Sequence, residues 1–281
     1  MSRARSSGWT AGSTSEPRGE VEVQGLMELP GFRLDRNGRV ATLMLDRPPL
    51  NVLNIASLRG LSEAVWNLGR DEHVGALVVA GAGKCFCAGV DVREHVPALA
   101  ETMIHTFHNF CRALLEFPRP TLARVHGSAL GGGCEVALCC DLIVAGASAR
   151  VGLPEITLGV FPPVAAVLLP RRAGAAAAAR AVLWGEVFPS EEALRWNLVT
   201  EVQPDDRLEG RVAELAGRAA GLSSAALREA RHALRRGAEG PLPEALKEVE
   251  RIYLEDLMKT HDAAEGIASF VEKRLPVWSH R

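Results

Sequence analysis

From residue 40 onward, apolar positions fall into short runs separated by turn residues. Val40–Leu45 and 74–79 have strand length and predict buried strands. Between them Leu58, Leu61, Ala64, Val65 and Leu68 recur at helical spacing, giving strand–helix–strand order. A longer helical stretch over about 98–115 is closed by Pro118 and Pro120, and Thr121–Val125 predicts another strand. The Gly131-Gly132-Gly133 turn then opens a helix over 134–140, with a strand over 142–145 after it. This alternation predicts an α/β fold with covered sheets. Beyond Pro189 the pattern turns almost wholly helical, and no internal repeat is visible. Three parts follow: a flexible tail over 1–28, poor in core-forming residues, an α/β core over 29–200, and a helical region over 201–281.

Composition narrows the functional classes. At 281 residues the chain can bury one substantial core, and 47% hydrophobic with 23% charged residues is ordinary for a soluble protein. A formal net charge of −2 argues against a nucleic-acid partner, which needs an excess of Lys and Arg. The apolar run over 160–169 is too short to span a bilayer and contains Pro162 and Pro163, so no membrane association is expected. Cys85, Cys87, Cys111, Cys134, Cys139 and Cys140 sit mostly in apolar runs and read as buried free thiols of a reducing compartment. Neighbours such as Cys139 and Cys140 point apart on a helix, and no His pair stands at zinc spacing, so no metal is expected. Arg3, Arg5, Ser6 and Ser7 bear a slight likeness to a transit peptide, but without a secretory apolar segment the expected location is cytoplasmic.

The chemistry concentrates in three segments. Gly131-Gly132-Gly133 at a helix start lets backbone approach a ligand with its amide N–H groups exposed, where they can stabilise an oxygen that gains charge. Glu135 follows in the first turn of an otherwise apolar helix, where desolvation raises a carboxyl pKa toward neutrality. Glu155, after Pro154, places a second carboxylate in an apolar loop. Upstream, Ala88-Gly89-Val90-Asp91 forms a tight turn after a buried strand, and the Val90 amide is a candidate second donor. Asp91 reads as a cap of that turn rather than as a catalytic group. His105 and His108 could line a pocket, although surface or packing roles suit an amphipathic helix better. Arg47, before Pro48 and Pro49, reads equally as a ligand contact and as a solvated loop charge.

These three segments, in this order, resemble the enoyl-CoA hydratase/isomerase (crotonase) family, and the likeness runs from about residue 32 to the C-terminus. The ending Thr260-His261-Asp262-Ala263-Ala264-Glu265-Gly266, with Phe270, Lys273, Pro276 and Trp278, is similar as well. The resemblance implies a spiral of strand–strand–helix turns making two nearly perpendicular sheets, then a helical trimerisation region, in a homotrimer or homohexamer. It implies an acyl-CoA thioester substrate, with Val90 and Gly132 as backbone donors to the thioester oxygen and Glu135 and Glu155 holding and activating water. Arg47, Ala88 and Arg93 are implied CoA contacts, as are Phe270 and Lys273, commonly from a neighbouring subunit. No cofactor beyond the substrate's own CoA is implied.

One segment departs from the family pattern. After the second glutamate most hydratases carry a glycine-rich stretch ending in Gly-Gly-Thr, whereas here Gly159-Val160-Phe161-Pro162-Pro163-Val164-Ala165-Ala166-Val167 reads as a stiffer, more apolar loop. Together with Val92-Arg93-Glu94-His95 and Phe107-His108 it is similar to the branch of cyclohexa-1,5-diene-1-carbonyl-CoA hydratases. A double-bond isomerase or other CoA-thioester lyase is the competing enzymatic reading, though isomerases generally keep one carboxylate. An RNA-binding or scaffold member of the family is the non-catalytic one, and the near-neutral charge counts against it.

Overall fold

The computed structural model describes residues 27–281. Strands β1 (Met27–Leu29), β2 (Phe32–Asn37) and β3 (Val40–Leu45) form an antiparallel meander. To β3 are added, all in parallel, β4 (Ala76–Gly81), β5 (Thr121–Val125), β7 (Leu142–Gly146) and β10 (Glu201–Gln203). The resulting seven-stranded sheet has the order β1-β2-β3-β4-β5-β7-β10. A second sheet of three strands joins β6 (Ser128–Leu130), β8 (Arg150–Gly152) and β9 (Val187–Pro189).

Parallel pairing demands crossovers, and two amphipathic helices supply the first of them. Helix α1 (Ile55–Arg70) carries β3 to β4 and buries Leu58, Leu61 and Val65. It starts at Asn54, whose side chain accepts from the Ser57 amide while the Ser57 hydroxyl accepts from the Asn54 amide, a capping box worth about 1 kcal/mol. Helix α2 (Pro97–Glu116) carries β4 to β5 and buries Met103, Phe107, Phe110 and Leu114. The short helix α3 (Gly132–Leu138), buried along its whole length, connects β6 to β7.

Strand β4 shows why its segment reads as a continuous apolar run. Leu77 and Val79 face the main core, whereas Ala76, Val78 and Ala80 face a second cluster containing Leu208, Val212, Ala216 and Ala220 of helix α7 (Leu208–Ala220). Both faces of the parallel sheet are thus covered. The remaining helices are α4 (Pro163–Arg172), α5 (Ala175–Leu183), α6 (Ser190–Arg195), α8 (Ser224–Gly237), α9 (Leu242–Arg251) and α10 (His261–Glu272). Arg231 ties α8 to the core, donating to Asp141 and to the carbonyls of Leu114, Leu115 and Phe117 at the end of α2.

Several expectations are corrected. Strand β4 begins at Ala76, two residues later than the apolar run, because Val74 and Gly75 close a turn whose amides bond Asp71 and Arg39. The region after 200 does not open as helix: β10 extends the large sheet, and α7 packs on that sheet rather than in a separate helical unit. The segment read as a stiff loop from Pro162 is a helix from Pro163, where proline at the first helical position sacrifices no hydrogen bond. At the other end of the chain, residues 27–28, read as part of the tail, pair with Arg33 and Leu34 in β1 and β2. The rest of that tail lies outside the described residues.

Among the described residues no helix is long and apolar enough to cross a membrane. All six cysteines are buried and unpaired, as free packing thiols.

Candidate active site

The site forms where the turn after β4 meets the start of α3. Residues 85–91 cross from one sheet to the other. Cys87 bridges Ala129 of β6 and exchanges backbone bonds with Ser128 and Leu130. Leu53 takes both neighbours of Val90, donating to the Gly89 carbonyl and accepting from the Asp91 amide, each at 2.8 Å. The Val90 amide is left over. Gly132 is the first residue of α3, where the helix has no acceptor for its N–H. Among the described residues neither amide donates to another protein group. The two lie close together, since a Cβ built on Gly89 would stand 3.8 Å from the Gly132 nitrogen.

The glycine run is explained by contact. A Cβ at Gly132 would meet Val90 Cγ2 at 2.6 Å, so only glycine lets the two segments approach this closely. Gly131 has φ 55° and ψ −130°, and a Cβ there would stand 2.9 Å from Glu155 Oε1.

The two carboxyls differ in their support. Glu135, 2% exposed, accepts the Ala165 amide on Oε1 at 2.8 Å, so the first turn of α4 holds it. Burial pushes its pKa up to about 8, with the neighbouring Glu155 charge adding to the rise. Glu155 sits in a short 3-10 turn, Pro154–Leu158, and burial raises its pKa as well. Its Oε2 is buried with no hydrogen-bond partner. An unpaired buried carboxyl oxygen costs a few kcal/mol, and this one is free to accept from a donor that enters the cavity.

Both carboxyls and both amide-bearing residues line one cavity of about 520 Å³, a size suited to a small organic group. Apart from His95, its remaining walls are apolar: Ala100, Met103, Ile104 and Phe107 from α2, and Leu158, Val160, Phe161, Pro162 and Pro163 from the segment leading into α4. His105 and His108 do not line the cavity, because Met103, Ile104 and Phe107 take the inward face of α2, in keeping with the surface or packing role that suits those histidines better. Val164, Ala165, Ala166 and Val167 also lie off the wall, since they are wound into α4, where Ala165 is buried beneath it.

A second cavity of about 490 Å³ adjoins the first, sharing Ala88, Val90 and Val92. Arg47, Asp91 and Arg93 line it. Asp91 caps the turn by accepting from the Arg93 amide at 3.1 Å and holds the Arg93 guanidinium at 2.7 Å. That guanidinium in turn keeps the Asp91 carboxyl low, at about 2. Phe270 and Lys273 line neither cavity within one chain. Phe270 is 85% exposed, and Lys273 lies past the end of α10 at φ 55°. Three residues apart, the two would share one face of a continued helix, but the backbone leaves the helix between them.

Sequence reasoning passed over Asn51. It is buried in the left-handed region at φ 55°, accepts from the Arg47 amide, and donates to the carbonyls of Ala82, Cys85 and Phe86. It thereby pins the loop that leads to Val90. An Asn after Pro48-Pro49-Leu50 is a legible turn signal, though not of its partners. Among the described residues one group could offer metal ligands, Glu229, His232 and Asp256, but Arg228 already bonds Glu229 and Arg251 bonds Asp256.

Comparison with known proteins agrees with this geometry. The profile of the family described as enoyl-CoA hydratase/isomerase matches residues 35–281. The 2,3-dehydroadipyl-CoA hydratase of Escherichia coli is 38% identical over 251 residues, covering 88% of this chain and 98% of the relative. The cyclohexa-1,5-dienecarbonyl-CoA hydratase of Thauera aromatica is 35% identical over 248 residues, covering 88% and 96%. The crystal structure of an enoyl-CoA hydratase from Mycobacterium smegmatis superposes with a TM-score of 0.84 at 32% identity, covering 89% of this chain and 99% of that one. The chain belongs to the enoyl-CoA hydratase/isomerase family, with the crotonase fold, and it is an enzyme of the hydratase type.

Proposed function

We propose that the chain adds water to an α,β-unsaturated acyl-CoA thioester, or removes it, with Glu135 and Glu155 as the acid–base pair. The observation that carries this reading is two carboxyls, Glu135 buried and Glu155 half-buried, in one largely apolar cavity beside two unspent amides. Like charges in so dry a site do not both ionise readily, so near neutral pH the pair holds one proton. Water lies between the carboxyls. The ionised one takes a proton as the water oxygen attacks the β-carbon, and the protonated one delivers its proton to the α-carbon. The pair ends with one proton still, on the opposite member, and the reverse reaction runs through the same groups. The Val90 and Gly132 amides donate to the thioester oxygen, which gains enolate charge during attack, a contribution worth about 3 kcal/mol per donor.

The adjoining cavity supports a path for the CoA moiety past Ala88 toward Arg47 and Arg93. Phe270 and Lys273 would serve as CoA contacts from a neighbouring subunit of a trimer or hexamer. For the acyl group we propose a compact cyclic dienoyl such as cyclohexa-1,5-diene-1-carbonyl. Support comes from the wall: Pro154, Pro162 and Pro163 fix its backbone, and Phe161, Met103 and Phe107 offer apolar surface to a flat ring. A second carboxylate on the acyl chain, as in 2,3-dehydroadipyl-CoA, would face two glutamates and neither Lys nor Arg among the cavity's lining residues. The test is kcat/KM for the cyclic dienoyl-CoA against crotonyl-CoA, followed by loss of the conjugated-thioester absorbance. A higher value for the ring supports the assignment. A clear win for crotonyl-CoA removes the ring and leaves hydration standing.

A further inference from the structure

Apart from the two glutamates, the cavity has one polar side chain, His95, to which the hydration chemistry gives no task. Its position is built. The 3-10 turn Val92–Glu94 that precedes it is fixed at one end by Asp91, which accepts from the Arg93 amide and side chain. At the other end Glu94 accepts the Ile55 amide at 2.9 Å, at the start of α1. The His95 amide donates to the Val92 carbonyl, and its Nδ1 stands 3.1 Å from the Asp91 carbonyl oxygen. A carbonyl can only accept, so Nδ1 carries the hydrogen. In the neutral ring Nε2 is therefore a lone pair, held in place without the entropy cost of ordering a free side chain.

We infer that His95 is a specificity-determining residue whose Nε2 accepts a hydrogen bond from a hydroxyl on the acyl group, away from the reacting double bond. The inference rests on the reading that this cavity holds the acyl group. An unsubstituted ring or chain offers the half-buried His95 no donor, whereas one that also carries a hydroxyl satisfies Nε2; a hydroxylated ring thus fits the cavity better than the bare ring. Sites that present a polar partner in an apolar wall discriminate in favour of the group that fills it.

The test uses the full-length enzyme with cyclohex-1-ene-1-carbonyl-CoA and hex-2-enoyl-CoA thioesters bearing one hydroxyl at successive positions beyond the double bond. Each is compared with the analogue carrying methyl in its place. The expected result is one position at which kcat/KM favours hydroxyl by about tenfold, the size of one net hydrogen bond. That ratio should collapse toward one in His95→Phe, which keeps a ring without the acceptor, and persist in His95→Gln, whose amide oxygen can accept. Turnover with a ratio near one at every position overturns this inference alone, and needs no variant to be folded. A ratio that survives in His95→Phe also overturns it. Turnover of cyclohexa-1,5-diene-1-carbonyl-CoA with none of any hydroxylated thioester also overturns this inference alone, whereas no turnover and no binding of any thioester, that one included, overturns the hydratase reading as well.

Discussion

Gly132→Ala tests the geometry of the thioester-oxygen site with one methyl group. The added Cβ would stand 2.6 Å from Val90 Cγ2 and 3.4 Å from two Phe107 ring atoms, where ordinary contact begins at 3.4 Å. Relief therefore needs the Val90 turn to move by roughly 1 Å, and misplacements of that size cost on the order of a hundredfold in rate. Losing one oxygen-binding donor outright costs a similar amount, about a hundred- to a thousandfold. kcat for hydration should fall by about a hundredfold with KM little changed, because the amides act mainly on charge that develops during reaction. The assay is the initial rate of loss of the conjugated-thioester absorbance, with melting temperature and circular dichroism confirming the fold. Val90→Ala removes the clashing Cγ2, so the double variant Val90→Ala/Gly132→Ala should recover about tenfold over Gly132→Ala alone. Activity of Gly132→Ala within about threefold of wild type, or a double variant no faster than the single, would refute the placement.

Two further outcomes follow from the same structure. Glu135 is raised from 4.5 to about 8, so the folded state binds a proton that the unfolded state releases, and stability falls as pH rises through that window. Glu135→Gln should therefore gain melting temperature relative to wild type between about pH 5 and pH 8, and a constant difference across that range would contradict the raised pKa. Lys273→Ala should raise KM for CoA thioesters more than it lowers kcat, as expected of a charge that meets the phosphates; an unchanged KM would remove Lys273 from the CoA site.

Much of this architecture was legible because local pattern and tertiary environment agree. Val40–Leu45 alternates buried and half-buried positions along its length, and its bounds could be read directly from the sequence. Strand β10 could not, since Glu201-Val202-Gln203 has one apolar residue and is a strand only because β7 offers it an edge. Helix α4 was hidden by Pro162, Pro163 and Pro170: Pro163 suits the first helical position, but Pro170 stands inside the helix, where proline is disfavoured. At the site, Gly131-Gly132-Gly133, Glu135 and Glu155 stood out because each residue type is expensive in an apolar setting unless it has work to do. The lining residues Met103 and Phe107 did not, because an inward apolar face of α2 looks the same whether it meets a core or a cavity. Asn51 depends on contacts between distant segments, which spacing along the chain does not report, and His95, held by Asp91 four residues before it, gives no sign in the sequence of the cavity it lines.

The central claim is that two carboxyls, acting as one acid–base pair, hydrate the thioester. Glu135→Gln and Glu155→Gln keep the shape of each side chain and remove its proton transfer, so single-turnover hydration by the folded variants is the most direct measurement. Each substitution is predicted to slow hydration by at least about a hundredfold. Near-wild-type turnover in either variant would contradict the paired mechanism and remove that glutamate from it.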